Sequence, residues 1–323
     1  MMRSRLVALM ALLVALVLAP GSGTAQIYPD RPVKIVVPIG PAGSYDILGR
    51  VVADQLTKRL GQTFTVENRP GAGTVVGTKA VIASPPDGYT LLVGGLSNVV
   101  FNAGLYKNLS YDPLADLAPV ALILNISYTL VGSNSLPYAT PKDIIAAAKQ
   151  KPGALKLANA GVGTGQHIVG AAFQAITGTK FLEVAYRGSS LAYPDLLGGR
   201  VDLFFDSTPA ALPYIKSGQA KGIAILTARR NPQAPDVPTM TESGVPGFEI
   251  DSWIGIFAPA RTPPAVIARL QREIAAAGPE MKPALTKIGA ELMEIEPARL
   301  ERFIRTDYDR WIKIIKDAGI TLD

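Results

Sequence analysis

The chain has 323 residues, with 32 Lys and Arg, 26 Asp and Glu and no Cys, and its formal net charge at pH 7 is +6. The lack of cysteine excludes disulfides, thiolate metal sites and a cysteine nucleophile. The basic residues are scattered and form no stripe interleaved with aromatics, which argues against a nucleic-acid partner. A modest positive charge favours the approach of a small anionic molecule instead.

The first 25 residues have the pattern of a secretory signal peptide. Arg3 and Arg5 give a positive start, the 14 residues Leu6–Ala19 are all apolar, and Gly23-Thr24-Ala25 offers a cleavage site. The alternative, an uncleaved anchor helix, is disfavoured because a membrane span needs roughly 20 residues. We therefore expect residues 1–25 to be cleaved and the chain to reach the periplasm without a lipid anchor. Removal of Arg3 and Arg5 lowers the charge from +6 to +4.

Short β-branched runs alternate with amphipathic windows from residue 33 onward, which predicts an α/β fold with parallel sheets. The elements predicted in the first block are strand Val33–Val37, a helix from Ile47 that ends before Gly61, strand Thr63–Val66, a helix near Val75–Ala83 and strand Leu91–Val93.

A second block of the same kind follows, and Thr140 with Pro141 predicts the capped start of its first helix. Its elements are strand Val120–Leu124, helix 141–150, strand Leu155–Ala158, helix Gln166–Thr177, strand Leu182–Tyr186, helix Ala192–Leu197, strand Val201–Asp206, helix Ala210–Ser217 and strand Gly222–Leu226. Strand Trp253–Ala258 and three helices between Pro263 and Asp317 end the chain. We expect two lobes: domain 1 from residues 26–124 and 250–323, and domain 2 from residues 125–249.

Two strand-to-helix loops have the composition of anion sites. In each, a buried strand runs into small residues and a helix begins at once, so that amide groups and a helix N-terminus point to one spot. The first loop is Gly40-Pro41-Ala42-Gly43-Ser44-Tyr45-Asp46, in which Ser44 is a predicted N-cap and Asp46 a partner of the helix dipole. The second is Asn159-Ala160-Gly161-Val162-Gly163-Thr164-Gly165-Gln166-His167. Together the loops predict a site for a ligand with one or two carboxylates.

Other chemistries fit the residues less well. The second loop does not match the dinucleotide-binding motif Gly-x-Gly-x-x-Gly, because Gln166 occupies the position of the third glycine. His167 is the one histidine of the chain, so no second histidine can complete a metal site with it, and it is either a packing residue or a neutral donor. Arg187 either pairs with Asp202 or Asp206 or faces the ligand. We expect no catalytic residue, no metal and no cofactor.

Many short segments resemble the Bug receptor family, the periplasmic substrate-binding components of tripartite tricarboxylate transporters. They occur in the family's order over nearly all of residues 28–323. The segments are Tyr28-Pro29-Asp30-Arg31-Pro32-Val33, Gly43 to Asp46, Glu67-Asn68-Arg69-Pro70-Gly71-Ala72-Gly73, Pro85 to Leu91, Gly163-Thr164-Gly165-Gln166-His167, Tyr186-Arg187-Gly188-Ser189, Asp195 to Asp202 and Asp236-Val237-Pro238-Thr239.

The resemblance implies a Venus-flytrap fold, in which two α/β lobes joined by a hinge enclose the ligand cleft. It implies that the two loops grip ligand carboxylates and that Asp206 lies in the same cleft. The chain departs from the family pattern at Ala42, where relatives often have glycine, and at Tyr45, where they often have threonine. Tyr45 therefore suggests a ligand with a planar portion.

The sequence as a whole predicts a monomeric periplasmic receptor that delivers a small carboxylate, either a di- or tricarboxylate or an aromatic acid, to membrane permease subunits. An exported enzyme that acts on a carboxylate and a receptor that reports to a membrane sensor are the alternatives. The predicted ligand-binding residues are Gly40, Ala42, Gly43, Ser44, Tyr45, Ser97, Asn159, Gly163, Thr164, Gln166, His167, Arg187 and Asp206.

Overall fold

This computed structural model describes residues 28–317 and Thr321. The strands of this part of the chain form a mixed sheet of ten. The predicted signal peptide, residues 1–25, lies outside the described residues. The strands are β1 Val33–Val37, β2 Phe64–Asn68, β3 Thr90–Gly95, β4 Leu117–Gly132, β5 Lys156–Asn159, β6 Leu182–Ala185, β7 Leu203–Ser207, β8 Lys221–Ile225, β9 Asp251–Pro259 and β10 Glu291–Leu292.

Helices flank the sheet, and several begin directly after a strand ends. They are α1 Ser44–Leu60, α2 Val75–Ile82, a π-helical turn Leu96–Phe101, α3 Asn102–Leu105, α4 Pro141–Gln150, α5 Gly165–Thr177, α6 Ser189–Leu197, α7 Thr208–Lys216, α8 Pro264–Ala276, α9 Gly278–Lys287 and α10 Pro297–Asp317. The three predicted C-terminal helices are confirmed as α8, α9 and α10.

The strand order is β2-β1-β3-β9-β4-β7-β5-β6, and β8 and β10 also pair with β4. Pairing is parallel among β1, β2 and β3 and among β5, β6 and β7, but β9 and β4 are antiparallel to their neighbours. The predicted α/β fold is confirmed, but the parallel pairing expected with it does not extend to the centre of the sheet, because β9 returns from far along the chain and inserts between β3 and β4.

Strand β4 carries the chain from one half of the sheet into the other. Its first part, Leu117–Ser127, pairs with β9, and its last part, Tyr128–Gly132, pairs with β7. We call one side of the sheet the first half: β1, β2, β3, β9 and β10 with helices α1–α3, the π-helical turn and α8–α10. The second half is β5 to β8 with helices α4–α7. The chain returns beside the same point, where the Leu226 amide donates to the carbonyl of Tyr128 at 2.9 Å and the Ile250 amide to that of Leu226 at 2.9 Å. The domain boundaries near residues 125 and 250 stay predictions.

Each half has its own aromatic core. In the first half Trp311 of α10 packs edge-on against Phe101, with ring centroids 5.0 Å apart. In the second half Phe173 of α5 lies 5.2 Å from Phe205 and 5.5 Å from Phe248. Helices α1, α5, α6 and α7 each follow the carboxyl end of a strand, β1, β5, β6 and β7, which is where α/β sheets place ligand sites.

Candidate functional site

The loop after β1 presents the N-terminus of a 17-residue helix. Gly43 has an extended backbone, with φ −84°, and occupies the N-cap position of α1. Ser44 is the first helical residue, so the prediction that Ser44 caps the helix is wrong. Its hydroxyl is buried and has no hydrogen-bond partner among the described residues.

Asp46 fixes the shape of this loop. Its carboxylate accepts hydrogen bonds from the Ala42 amide at 3.0 Å, from Arg50 at 3.0 Å and from Asn68 at 2.9 Å. Burial raises the pKa of Asp46, but these donors outweigh burial and hold the pKa below its ordinary value. Asp46 thus has a structural role, because protein donors surround its carboxylate. One of those donors, the Ala42 amide, belongs to a residue with a positive φ of 64°.

Tyr45 turns its ring into the interior of the molecule, where it is 7 % exposed. Its phenol oxygen accepts a hydrogen bond from the Ser97 amide at 3.3 Å. A β-carbon at Gly95 would lie 2.5 Å from that oxygen, so the absence of a side chain there makes room for the phenol. Burial raises the pKa of Tyr45 to about 12, so the phenol is neutral. Stacking of Tyr45 on a planar ligand stays a prediction.

Helix α5 begins at Gly165, directly behind the second predicted anion loop. Thr164 is its N-cap: the hydroxyl accepts from the His167 amide at 3.4 Å and donates to the Gly161 carbonyl at 2.6 Å. The Gly165 amide donates to the hydroxyl oxygen of Ser97 at 2.9 Å. Because Ser97 belongs to the first half and Gly165 to the second, this bond joins the halves at the start of α5.

His167 has protein partners on both ring nitrogens. Its Nδ1 accepts from the Gly163 amide at 3.3 Å, and its Nε2 lies 3.2 Å from a carboxylate oxygen of Glu183. An acceptor role at Nδ1 places the ring proton on Nε2, so a neutral imidazole donates to Glu183. Asn159 contacts the same carboxylate at 3.4 Å. His167 and Asn159 therefore brace the second loop against β6.

Asp206 lies at the end of β7 with its carboxylate fully buried. It accepts four hydrogen bonds: from Gln166 at 3.1 Å, from the Ser189 hydroxyl at 2.8 Å, from the Ser207 amide at 2.8 Å and from the Tyr193 phenol at 3.1 Å. Burial raises the pKa of Asp206 to about 6, although these donors each act to lower it. The carboxylate thus ties the starts of α5 and α6 to the end of β7.

The backbones of the two halves touch at two further points. A β-carbon at Gly40 would lie only 2.2 Å from the carbonyl oxygen of Arg187, and one at Gly73 would lie 2.4 Å from that of Val162. Only glycine allows this approach. Together with the bond between Ser97 and Gly165, these contacts describe a closed arrangement of the halves.

A cavity of about 720 Å³ lies between the halves beside these contacts. The first half contributes Pro38, Ile39, Pro70, Gly71, Ala72, Gly73, Thr74 and Tyr106, and the second half contributes Ala160, Gly161, Val162, Thr164, Ala185, Tyr186 and Arg187. A smaller cavity of about 200 Å³ is lined by Ala42 and Ile47 of the first half and by residues of α6 and α7, among them Ser189 and Tyr193. The size of the larger one suits a small ligand.

Every residue predicted for the site lies on the strand ends, loops and helix starts that meet where the halves join. Their contact with a ligand stays a prediction. Three residues outside the predicted set belong to the same junction: Tyr128, whose phenol oxygen would be 2.0 Å from a β-carbon at Gly165, and Ser189 and Tyr193, which hold Asp206. Tyr128 stands in an apolar strand, so no local signal distinguishes it from a core residue.

Within residues 28–317 and Thr321, no group of three or more His, Cys, Asp and Glu side chains is arranged to hold a metal ion. The same part of the chain has no helix long and apolar enough to span a bilayer.

A family model described as "Tripartite tricarboxylate transporter family receptor" matches residues 48–320. Among solved structures, R. palustris Rpa4515 with adipate is 34% identical, with a TM-score of 0.86 over 91% of this chain and 100% of that one. MatC from Rhodopseudomonas palustris with bound malate is 29% identical, with a TM-score of 0.85 over 89% and 100% of the two chains. The periplasmic binding protein BugD is 34% identical, with a TM-score of 0.87 over 91% and 100%.

Proposed function

The chain belongs to the tripartite tricarboxylate transporter receptor family, whose members are periplasmic solute receptors and not enzymes, and we propose that it binds a small carboxylate between its two halves. The fold is the two-lobed α/β fold of periplasmic solute-binding proteins.

The observation that carries the proposal is the meeting of two helix starts across the junction of the halves. The N-terminus of α1 at Ser44 and that of α5 at Gly165 belong to opposite halves, and Tyr45, Ser97 and Gly165 link them through two hydrogen bonds. Helix N-termini attract anions through free amide groups and the helix dipole. A carboxylate placed here gains donors from both halves at once.

Contacts from both halves explain how a ligand would keep the receptor closed. A ligand that touches each half only in the closed form has a higher affinity for that form, so its binding shifts the equilibrium towards closure. The touching backbones at Gly40 and Gly73 set the limit of that movement.

The solved relatives bound to adipate and malate support a di- or tricarboxylate as the ligand, and the aromatic alternative rests on Tyr45. We further propose that the chain is exported by cleavage of residues 1–25, acts as a monomer, and delivers its ligand to membrane permease subunits. The pattern of residues 1–25 and the family support this part of the proposal.

Thermal unfolding of residues 26–323 tests the proposal. The panel is adipate, malate, citrate and benzoate, with adipamide as the uncharged match of adipate. At 100 times its dissociation constant a ligand stabilises the fold by about 2.7 kcal/mol, a rise of a few degrees for a chain of this size. We expect at least one acid to stabilise and adipamide to have no effect. Equal effects of adipate and adipamide, or none from any acid, would contradict carboxylate binding.

A further inference from the structure

Arg187 is the one charged residue that lines the 720 Å³ cavity within the described part of the chain. The other lining residues are apolar or uncharged, and none is a carboxylate. Arg187 is therefore the one full charge among the residues that line the cavity, and it is positive.

The side chain of Arg187 is exposed and has no hydrogen bond, ion pair or ring contact with the residues that the structure describes. The two partners that the sequence offered are engaged elsewhere, because Asp202 accepts from the Lys156 amide at 2.7 Å and Asp206 accepts its four donors. A third acid, Asp195, pairs with Arg200 at 2.6 Å. Within the part of the chain that the structure describes, these three acids thus form no ion pair with the Arg187 guanidinium.

The backbone of Arg187 is fixed although its side chain is unpaired. A β-carbon at Gly40 would lie only 2.2 Å from the carbonyl oxygen of Arg187, and the next residue, Gly188, packs on Gly40 as well. The side chain therefore starts from the point where the halves touch. Thr164, at the start of α5, lines the same cavity, so a molecule in the cavity can meet both.

We propose that Arg187 recognises the second acid group of a dianionic ligand whose first acid group lies at the start of α5. This assignment rests on the proposed function and adds the residue that selects a dicarboxylate over a monocarboxylate of the same length. A guanidinium presents paired donors that match the two oxygens of a carboxylate, and such charged hydrogen bonds are among the stronger ones in proteins. A monocarboxylate leaves that donor pair unused.

The test is isothermal titration of residues 26–323 with unbranched dicarboxylates of four to seven carbons and with monocarboxylates of matching length. Four proteins are titrated with the dicarboxylate and the monocarboxylate that bind the wild type most tightly. They are the wild type, Arg187→Gln, Arg187→Lys and a control, Arg272→Gln. Arg272 is exposed on α8 and lines neither cavity between the halves. In Arg187→Gln we expect dicarboxylate affinity to fall at least tenfold and monocarboxylate affinity to change less than twofold. Arg187→Lys should lie between the wild type and Arg187→Gln, and the control should match the wild type.

Three results would overturn the assignment while leaving carboxylate binding intact. These are wild-type affinities no higher for dicarboxylates than for monocarboxylates, equal losses for both kinds in Arg187→Gln, and no loss for either. Absence of binding for every acid in both series would instead contradict the proposed function itself. Circular dichroism of each variant shows that the fold is retained.

Discussion

The amide of Gly165 donates a hydrogen bond to the hydroxyl oxygen of Ser97 at 2.9 Å, and this bond crosses from one half of the molecule to the other. The donor is the first amide of α5, which is the group best placed to hold an anion. On the proposed function, the serine oxygen therefore occupies the position of a carboxylate oxygen of the ligand. Binding at this point exchanges one hydrogen bond for a charged one.

Replacement of Ser97 by alanine removes that competitor. We expect Ser97→Ala to lower the free energy of unfolding without ligand by about 1 kcal/mol, because the buried Gly165 amide loses its acceptor. The stabilisation that adipate produces should increase, since the carboxylate then fills a vacant donor. Urea unfolding with and without adipate measures both effects, and Ser243→Ala, on the connection between β8 and β9, is the control. A variant stabilised by adipate less than the wild type would show that Ser97 helps to bind the ligand.

Tyr45 supports the same junction by its ring and its hydroxyl, and two variants separate these contributions. Tyr45→Phe keeps the ring and leaves the Ser97 amide without an acceptor, which should cost about 1 kcal/mol of unfolding free energy, given the long 3.3 Å bond. Tyr45→Thr also removes the buried ring, and the cavity left behind should cost about 3 kcal/mol. Urea unfolding at pH 7 gives both values. Equal losses in the two variants would mean that the ring contributes nothing.

The buried carboxylate of Asp206 predicts a pH dependence of stability. Its pKa is raised to about 6 by burial, above the ordinary 3.8, so the folded chain binds this proton more tightly than the unfolded chain. The stability from this group is therefore complete below about pH 4 and is lost as the pH rises through 6. The loss amounts to about 3 kcal/mol for a shift of roughly two units.

Asp206→Asn isolates this effect, because asparagine has nearly the same shape and does not titrate. The unfolding free energy of the wild type minus that of the variant should fall by about 2.4 kcal/mol between pH 4 and pH 7, while all other titrating groups cancel in the difference. Urea titrations at half-unit intervals measure it. A difference that stays constant over this range would show that Asp206 has an ordinary pKa.

Local signals in the sequence were sufficient for the helix ends. Gly61 and Gly178 both adopt the left-handed conformation that ends a helix, and Thr140 accepts the Asp143 amide as a predicted N-cap does. These features depend on neighbours within four residues. Strand pairing depends on residues that are far apart in the sequence. Hydrophobic periodicity therefore could not predict that β9 lies between β3 and β4.

The site divides in the same way. The strand-to-helix structure of the two loops is confirmed, because small residues between a strand and a helix are a local pattern, whereas their contact with a ligand stays a prediction. The hydrogen-bond donors to Asp206 could not be predicted from the sequence, because Gln166 and Tyr193 lie 40 and 13 residues away from it along the chain. The engagement of His167 with Glu183 likewise depends on the pairing of β5 with β6.

Closure itself can be tested at Gly40, where no positive φ complicates a substitution. In Gly40→Ala the new methyl group would meet the Arg187 carbonyl at 2.2 Å, so the halves cannot approach as closely as they do here. Gly278→Ala is the control, because Gly278 lines neither cavity between the halves and its β-carbon would meet its nearest neighbour at an ordinary 3.5 Å. We expect Gly40→Ala to weaken carboxylate binding about tenfold, which corresponds to about 1.4 kcal/mol. Small-angle scattering should show a larger radius of gyration for Gly40→Ala with adipate, whereas Gly278→Ala should resemble the wild type. Equal behaviour of the two variants would mean that contact between Gly40 and Arg187 does not limit closure.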